Sequence, residues 1–176
     1  NRTIAYEKTP TVNATWYKRA MGIASDQGPG NDNQIDYQHM RSIRGQLLAY
    51  TYTNVAEMYD GSQGLADASG NPTQAMVAAE VNNGVSLINY VGHGSDNSFV
   101  TSGFNSTNVN ALTNNNKWPF IFSVACVNGN FKNQTCFAEA WLRAANASGP
   151  TVWSCRHSKL VPSTARRASV FFTTRR

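Results

Sequence analysis

The sequence predicts an α/β fold organised on a mostly parallel sheet, and three observations predict it. Short apolar runs alternate with segments whose apolar residues recur at helical spacing. Two of the runs, VSLINYV (85–91) and FIFSVA (120–125), are nearly continuous, as strands covered on both faces are. Gly-, Pro-, Asn- and Asp-rich stretches punctuate the alternation. Strand–helix–strand order on this scale implies right-handed crossovers and a parallel sheet between helical layers.

Each element has its own grounds. Residues 1–19 carry Tyr6, Trp16 and Tyr17 for packing, and the polar run 7–15 reads as a loop. AMGIAS (20–25) is the first strand, and DQGPGNDNQ (26–34) is a loop by composition. A helix is expected over 36–50, with Tyr37, Met40, Ile43, Leu47 and Leu48 on one face and Asp36 as its N-cap. A second strand covers 54–59. Asn71-Pro72 starts a helix that runs to about Asn82, turns Ala75, Met76, Ala79 and Val81 inward and stops at Gly84. A strand over 85–91, a short helix over 107–112, an Asn-rich turn at 114–116 and a strand over 120–125 follow. The last helix spans about 135–145, with Phe137, Ala140, Trp141 and Ala144 on one stripe, and Gly149-Pro150 ends it.

The chain has 176 residues, enough for one domain with a substantial core. Its 41% apolar and 14% charged content belong to a folded protein, not to a disordered one. No apolar window of about 18 residues exists, so no membrane-spanning helix is expected. The first residues, Asn1-Arg2-Thr3, have neither an initiating Met nor a signal-peptide core and read as a processed product or a fragment. The net charge of +5 is unevenly placed. Residues 1–150 hold nine Lys/Arg against ten Asp/Glu, whereas the last 26 residues hold six basic residues and no acid. Nothing in the body points to nucleic acid; a basic tail over 153–176 could bind a polyanion.

That tail also breaks the alternation. After Thr151-Val152 no period is visible, although the fold requires a further buried strand here. Read one base later, with a Ser codon of the AGY type, the codons for Trp153 to His157 would encode Gly, two of Ala or Val, a small or acidic residue, and Ile or Thr, the strand that the alternation requires. A change of reading frame near residue 153 is therefore one explanation, and an ordinary basic tail is the other.

Chemistry concentrates at the ends of two apolar runs, where His93 follows the first and Cys126 the second. Parallel strands end on the same edge of a sheet, where sites of open α/β folds gather, and neighbouring strands lie about 4.8 Å apart. A cysteine–histidine pair is thus plausible from spacing alone. The thiolate would attack, the imidazole would take the thiol proton and later protonate a leaving amine. Backbone N–H groups at Gly94 and Cys126 would form an oxyanion hole. Cys126 alone would more often be a small buried hydrophobe, and GHGS (92–95) could cradle phosphate, although it fails the full dinucleotide-binding glycine pattern. The cysteines Cys126, Cys136 and Cys155 form no zinc spacing, and one disulfide among them would leave a free thiol.

NYVGHGS (89–95), ALTNNNKWPFIFSVACVNGNF (111–131) and CFAEAWLRA (136–144) carry a family resemblance, extended by RTIAYEK (2–8), GIAS (22–25) and DYQH (36–39). The chain resembles the gingipains, clostripain-related cysteine peptidases of caspase-like fold, and more closely their arginine-specific members. The resemblance implies a caspase-like three-layer sandwich, with residues 1–152 a partial catalytic domain and 153–176 a tail. It implies endopeptidase activity on protein or peptide substrates with Arg at the cleavage site, with Cys126 as nucleophile and His93 as base. It implies that Asp36 lies in the S1 pocket, where a carboxylate would pair a guanidinium in bidentate fashion. The family's histidine-orienting Glu corresponds to Gln27, an amide that can still hold an imidazole; Asp26 is the alternative. The chemistry requires no cofactor. A structural calcium is implied without assignable ligands, as is an extracellular or cell-surface setting. The competing reading is a non-catalytic module of the same scaffold that binds peptides or a partner.

Overall fold

The computed structural model describes residues 2–30, 32–132, 134–145 and 151–154. In chain order the elements are α1 (Arg2–Lys8), β1 (Arg19–Ala24), α2 (Asp36–Tyr50), β2 (Asn54–Tyr59), α3 (Gln74–Asn83) and β3 (Leu87–Val91). Three two-residue strands follow, β4 (Gly94–Ser95), β5 (Ser98–Phe99) and β6 (Phe104–Asn105), then α4 (Ser106–Asn110), β7 (Phe120–Val124), α5 (Phe137–Arg143) and β8 (Thr151–Ser154). Strands β2-β1-β3-β7-β8 form a five-stranded sheet, parallel throughout. The expected α/β class and parallel sheet are therefore observed. Residues 155–176, which bear on the reading-frame and polyanion expectations, lie outside the described residues.

Alternation along the strands divides the core into two layers. Met21 and Ile23 of β1, Ile88 and Tyr90 of β3 and Ile121 of β7 join one cluster with Val77 and Val81 of α3, Val109 of α4 and Phe137 and Trp141 of α5. The intervening residues face α2: Ala24, Val91 and Val124 pack with Met40, and Ala20 and Val55 pack with Ile43 and Leu47. Period 2 in a strand with apolar residues at both phases requires cover on both faces. That requirement is why five-residue strands here read as unbroken apolar runs.

Several elements differ from expectation for identifiable reasons. The polar run 7–15 is not all loop: α1 extends to Lys8, and its Tyr6 lies 6.3 Å from the Trp16 ring and 6.1 Å from the Trp118 ring. Helix α3 begins at Gln74, not at Pro72, because the Thr73 side chain accepts the Met76 N–H at 3.3 Å and caps it. Its buried face is Val77 and Val81, while Ala75 and Ala79 are exposed. Alanines carry too little apolar area to choose the face against a pair of valines at i, i+4. Asp36 is the first helical residue of α2 and does not cap it; the N-cap position is Ile35, whose N–H is taken by Gln38 Oε1 at 3.0 Å.

Helix α2 is fixed to β2 by a buried charge cluster. The Glu57 side chain is fully buried, and its carboxylate takes Arg41 Nε at 3.2 Å and Arg41 Nη2 at 3.0 Å, with Arg44 Nε at 3.3 Å. The Arg41 guanidinium also lies over the Tyr37 and Tyr59 rings at 5.6 and 5.4 Å. Losing one partner of a buried ion pair costs about 3–5 kcal/mol, and here Arg44 stays on the Glu57 carboxylate, which holds the cost to the low end of that range. Arg41→Ala is thus expected to lower the midpoint of urea unfolding by an amount corresponding to about 3 kcal/mol, whereas an exposed cation exchanged elsewhere leaves it unmoved. A midpoint unchanged by Arg41→Ala would show that α2 is not held this way.

Candidate active site

The exits of four strands are laced together on one edge. The Asp60 N–H donates to Ala24 O at 2.9 Å, Ser25 N–H to Val91 O at 3.0 Å, and Gly92 N–H to Val124 O at 3.3 Å. These bonds join the loops after β2, β1, β3 and β7 just where the strand order reverses between β1 and β3. Crevices at such reversals are where open α/β sheets place their sites.

His93 and Cys126 meet this edge at the same level. Val91 pairs with Val124, and each of the two residues stands two positions beyond that pair. Strand β7 ends at Val124, one residue earlier than expected, so Ala125 belongs to the exit loop. His93 is exposed and Cys126 half-buried. Among the described residues no hydrogen bond joins the Cys126 thiol to the imidazole. Gln27 Nε2 lies 2.6 Å from His93 Nε2, so of the two candidates for orienting the ring it is Gln27 that touches it. Asp26 lines the same cleft without bonding His93.

Two features that sequence reading missed hold the exit loops in place. Asn128, fully buried, donates through Nδ2 to Ser95 O at 2.5 Å and Ser98 O at 2.8 Å and accepts the Ser123 hydroxyl at 2.8 Å. It therefore bolts the loop after Cys126 to the β4–β5 hairpin that follows His93. The Asn128 N–H also donates to Cys126 O at 2.7 Å, closing a tight turn in which Val127 has φ 52°. A β-branched residue rarely adopts that conformation, and holding it costs on the order of 1–3 kcal/mol. One of many asparagines in the sequence gives no sign of such a role.

The two residues expected to supply the oxyanion donors lie close together. Gly94 packs on the Cys126 carbonyl, and a β-carbon at residue 94 would also stand 2.8 Å from Ala125 Cβ. Val100 N–H donates to His93 O at 3.1 Å, and Gly94 sits opposite Phe99. Ladder bonds alternate in an antiparallel pair, so the Gly94 N–H is turned away from β5.

Asp36 lies on the other side of Ser25. It is buried, at 7% exposure, and accepts the Ser25 hydroxyl at 2.5 Å, while its N–H donates to Gln27 O at 2.8 Å. The loop 26–36 is thereby closed by its own ends. Among the described residues no group of three or more His, Cys, Asp and Glu side chains could hold a metal ion, so the calcium implied by the resemblance finds no such ligand set there.

The profile of peptidase family C25 matches residues 1–172. The chain belongs to peptidase family C25. Its C25 relatives include Gingipain R2 of Porphyromonas gingivalis, 42% identical over 154 residues that make up 86% of this chain and 20% of that protein. Lys-gingipain HG66 of the same organism is 27% identical over 146 residues, 81% of this chain and 8% of that protein. Among solved structures, the Arg specific cysteine proteinase gingipain R superposes with a TM-score of 0.86 at 34% identity, covering 98% of this chain and 39% of that one. The complex of Porphyromonas gingivalis RgpB pro- and mature domains gives 0.88 at 35% identity, covering 98% and 40%. This C25 chain thus has the caspase-like α/β fold, resembles the arginine-specific relatives more than the lysine-specific one, and spans a fifth or less of the curated relatives' lengths.

Proposed function

We propose that this chain carries the reacting centre of a cysteine endopeptidase that cleaves after arginine through an acyl-enzyme. The observation that supports it most is the shared level of His93 and Cys126 beyond paired strand ends, with Gln27 against the imidazole. Cys126 is the nucleophile and His93 takes its proton. The two ends of the Gln27 amide have the same shape; catalysis uses the orientation in which Oε1 accepts the Nε2–H of His93, leaving Nδ1 as the base. As the thiolate adds to the scissile carbonyl, the N–H groups of Gly94 and Cys126 take up the developing negative charge. The imidazolium then protonates the leaving amine, and water resolves the acyl-enzyme.

Asp36 selects the substrate. Buried behind Ser25, whose hydroxyl it accepts, its carboxylate would pair an arginine guanidinium, a preference in line with the Arg specific gingipain R relative. A charge-assisted bond contributes about 1.5–3 kcal/mol. Asp36→Asn is therefore expected to lower kcat/KM for an Arg-amide reporter by about 100-fold, which corresponds to roughly 3 kcal/mol, while hydrolysis of a reporter with a neutral residue before the bond stays within about threefold. Equal losses on both reporters would remove Asp36 from specificity. An initial burst of one product equivalent per chain tests the acyl-enzyme itself; Arg-peptide binding with no burst and no thiol modification would favour the binding-module reading. Among the described residues no helix is long and apolar enough to cross a membrane; action outside the cell is part of the proposal.

A further inference from the structure

A second carboxylate faces the imidazole from a strand that the dyad does not use. Asp60 follows β2 directly, and its backbone is fixed by the bond to Ala24 O. Asp60, Asp26, Gln27, His93 and Thr101 line one cleft. Thr101, as a hydroxyl donor, and then His93, by its charge, act to lower the Asp60 pKa and so favour its carboxylate form. Thr101 Oγ1 lies 3.2 Å from the Tyr90 hydroxyl, which itself donates to the His93 carbonyl. The four groups share two hydroxyl protons. Burial pushes the Tyr90 phenol up to about 12 and keeps it protonated, and its proton goes to the His93 carbonyl, the closer of its two acceptors. The Thr101 proton is then left for Asp60, and Thr101 stays tied to Tyr90 by its own N–H, which donates to the phenol oxygen at 3.4 Å.

We infer that Asp60 is a positioning residue for His93: it sets a negative charge across the cleft from the imidazole and, through Thr101 and Tyr90, fixes the loop that carries it. The inference rests on the proposed role of His93 as base and adds what Gln27 lacks. A neutral amide can orient an imidazole but cannot offset the charge of an imidazolium. Asp26 is the other acid on the cleft, and Cys126 follows β7, on the opposite side of β3 from β2 in the strand order; among the described residues these, with Asp60 and Tyr90, are the titratable groups near the His93 exit.

The placement is unfavourable for the fold, which a purely structural residue would not be. Burial first, then the charge of Asp26, raise the Asp60 pKa above its ordinary value. A raised carboxyl pKa adds stability below the unfolded-state value of 3.8, and that stability is lost as pH rises through the folded value. At neutral pH the ionised Asp60 therefore works against folding.

The decisive measurement is the NMR titration of the His93 ring in the 176-residue chain, with the signal assigned by His93→Gln. Asp60→Asn is expected to shift the His93 titration to lower pH by removing the charge across the cleft, and Asp60→Glu to restore most of that shift. The melting temperature of Asp60→Asn at pH 7 should equal or exceed that of the parent, with the difference closing near pH 3. An unmoved His93 titration, or a lower melting temperature with His93 unmoved, overturns the inference. If His93 shifts as stated while Cys126 stays inert to iodoacetamide and no burst occurs, Asp60 keeps its role on the imidazole and the peptidase reading is what fails.

Discussion

Replacing Cys126 with alanine is expected to reduce hydrolysis of an Arg-amide reporter to the uncatalysed background, and His93→Ala to slow it by about 10²- to 10⁴-fold. The second range is what a positioned general acid–base contributes. The two losses differ because their causes differ. Without Cys126 no acyl-enzyme forms, and the remaining described thiol cannot replace it: Cys136 is buried, at 1% exposure, at the N-cap position of α5. Without His93 the nucleophile persists, but no base takes its proton, and a free thiol is only a few per cent thiolate at pH 7. The leaving amine also departs without a proton donor. Raising the pH should therefore rescue part of the His93→Ala loss and none of the Cys126→Ala loss. Iodoacetamide labelling followed by peptide mapping gives the same contrast without substrate: Cys126 reacts in the parent, reacts slowly in His93→Ala, and Cys136 stays unmodified in both. Labelling of Cys126 indifferent to His93 would sink the dyad.

What the sequence made visible and what it hid divide along a physical line. Helix α2 and strand β2 occupy the residues expected, and the α5 stripe of Phe137, Ala140, Trp141 and Ala144 is buried throughout. These elements repeat a period long enough to register, and their apolar faces are large. The β4–β5–β6 sheet was invisible because strands of two residues have no period to detect. The adjacency of β3 and β7 followed from chain order and crossover rules, and with it the level shared by His93 and Cys126. The surroundings of those residues did not follow. Asn128 bonds residues 33 and 30 positions away, and Asp60 faces a histidine on a different strand exit. Polar roles of that kind depend on where the backbone returns in space, which local pattern does not encode. Asp36 shows both sides: its place at the start of α2 was readable, whereas its bond to Ser25 replaced the capping bond that composition suggested.

Gly94→Ala carries the other large expected effect, and it tests the contact between the two exit loops. A methyl group at residue 94 would collide with the Cys126 carbonyl and stand 2.8 Å from Ala125 Cβ and 3.0 Å from Asn128 Nδ2. The Cys126 side of this contact has little freedom to yield. Its carbonyl is held by the Asn128 N–H at 2.7 Å, Val127 already sits at φ 52°, and the Asn128 side chain is fastened to Ser95 and Ser98. The displacement therefore falls on the segment carrying His93 and shifts the base relative to the thiol. A misplacement of about 1 Å can cost 10²-fold in rate, so kcat/KM is expected to fall at least that far. Overpacking of this kind costs about 1–3 kcal/mol of stability, read as a lower urea midpoint. The control is Gly45→Ala on the exposed face of α2, where an added β-carbon meets nothing within 4 Å. That change should raise stability by up to about 1 kcal/mol through helix propensity and leave turnover alone. Parent-like kinetics in Gly94→Ala would mean that the loops after β3 and β7 do not touch in the working protein, and the oxyanion assignment to Gly94 and Cys126 would go with that contact.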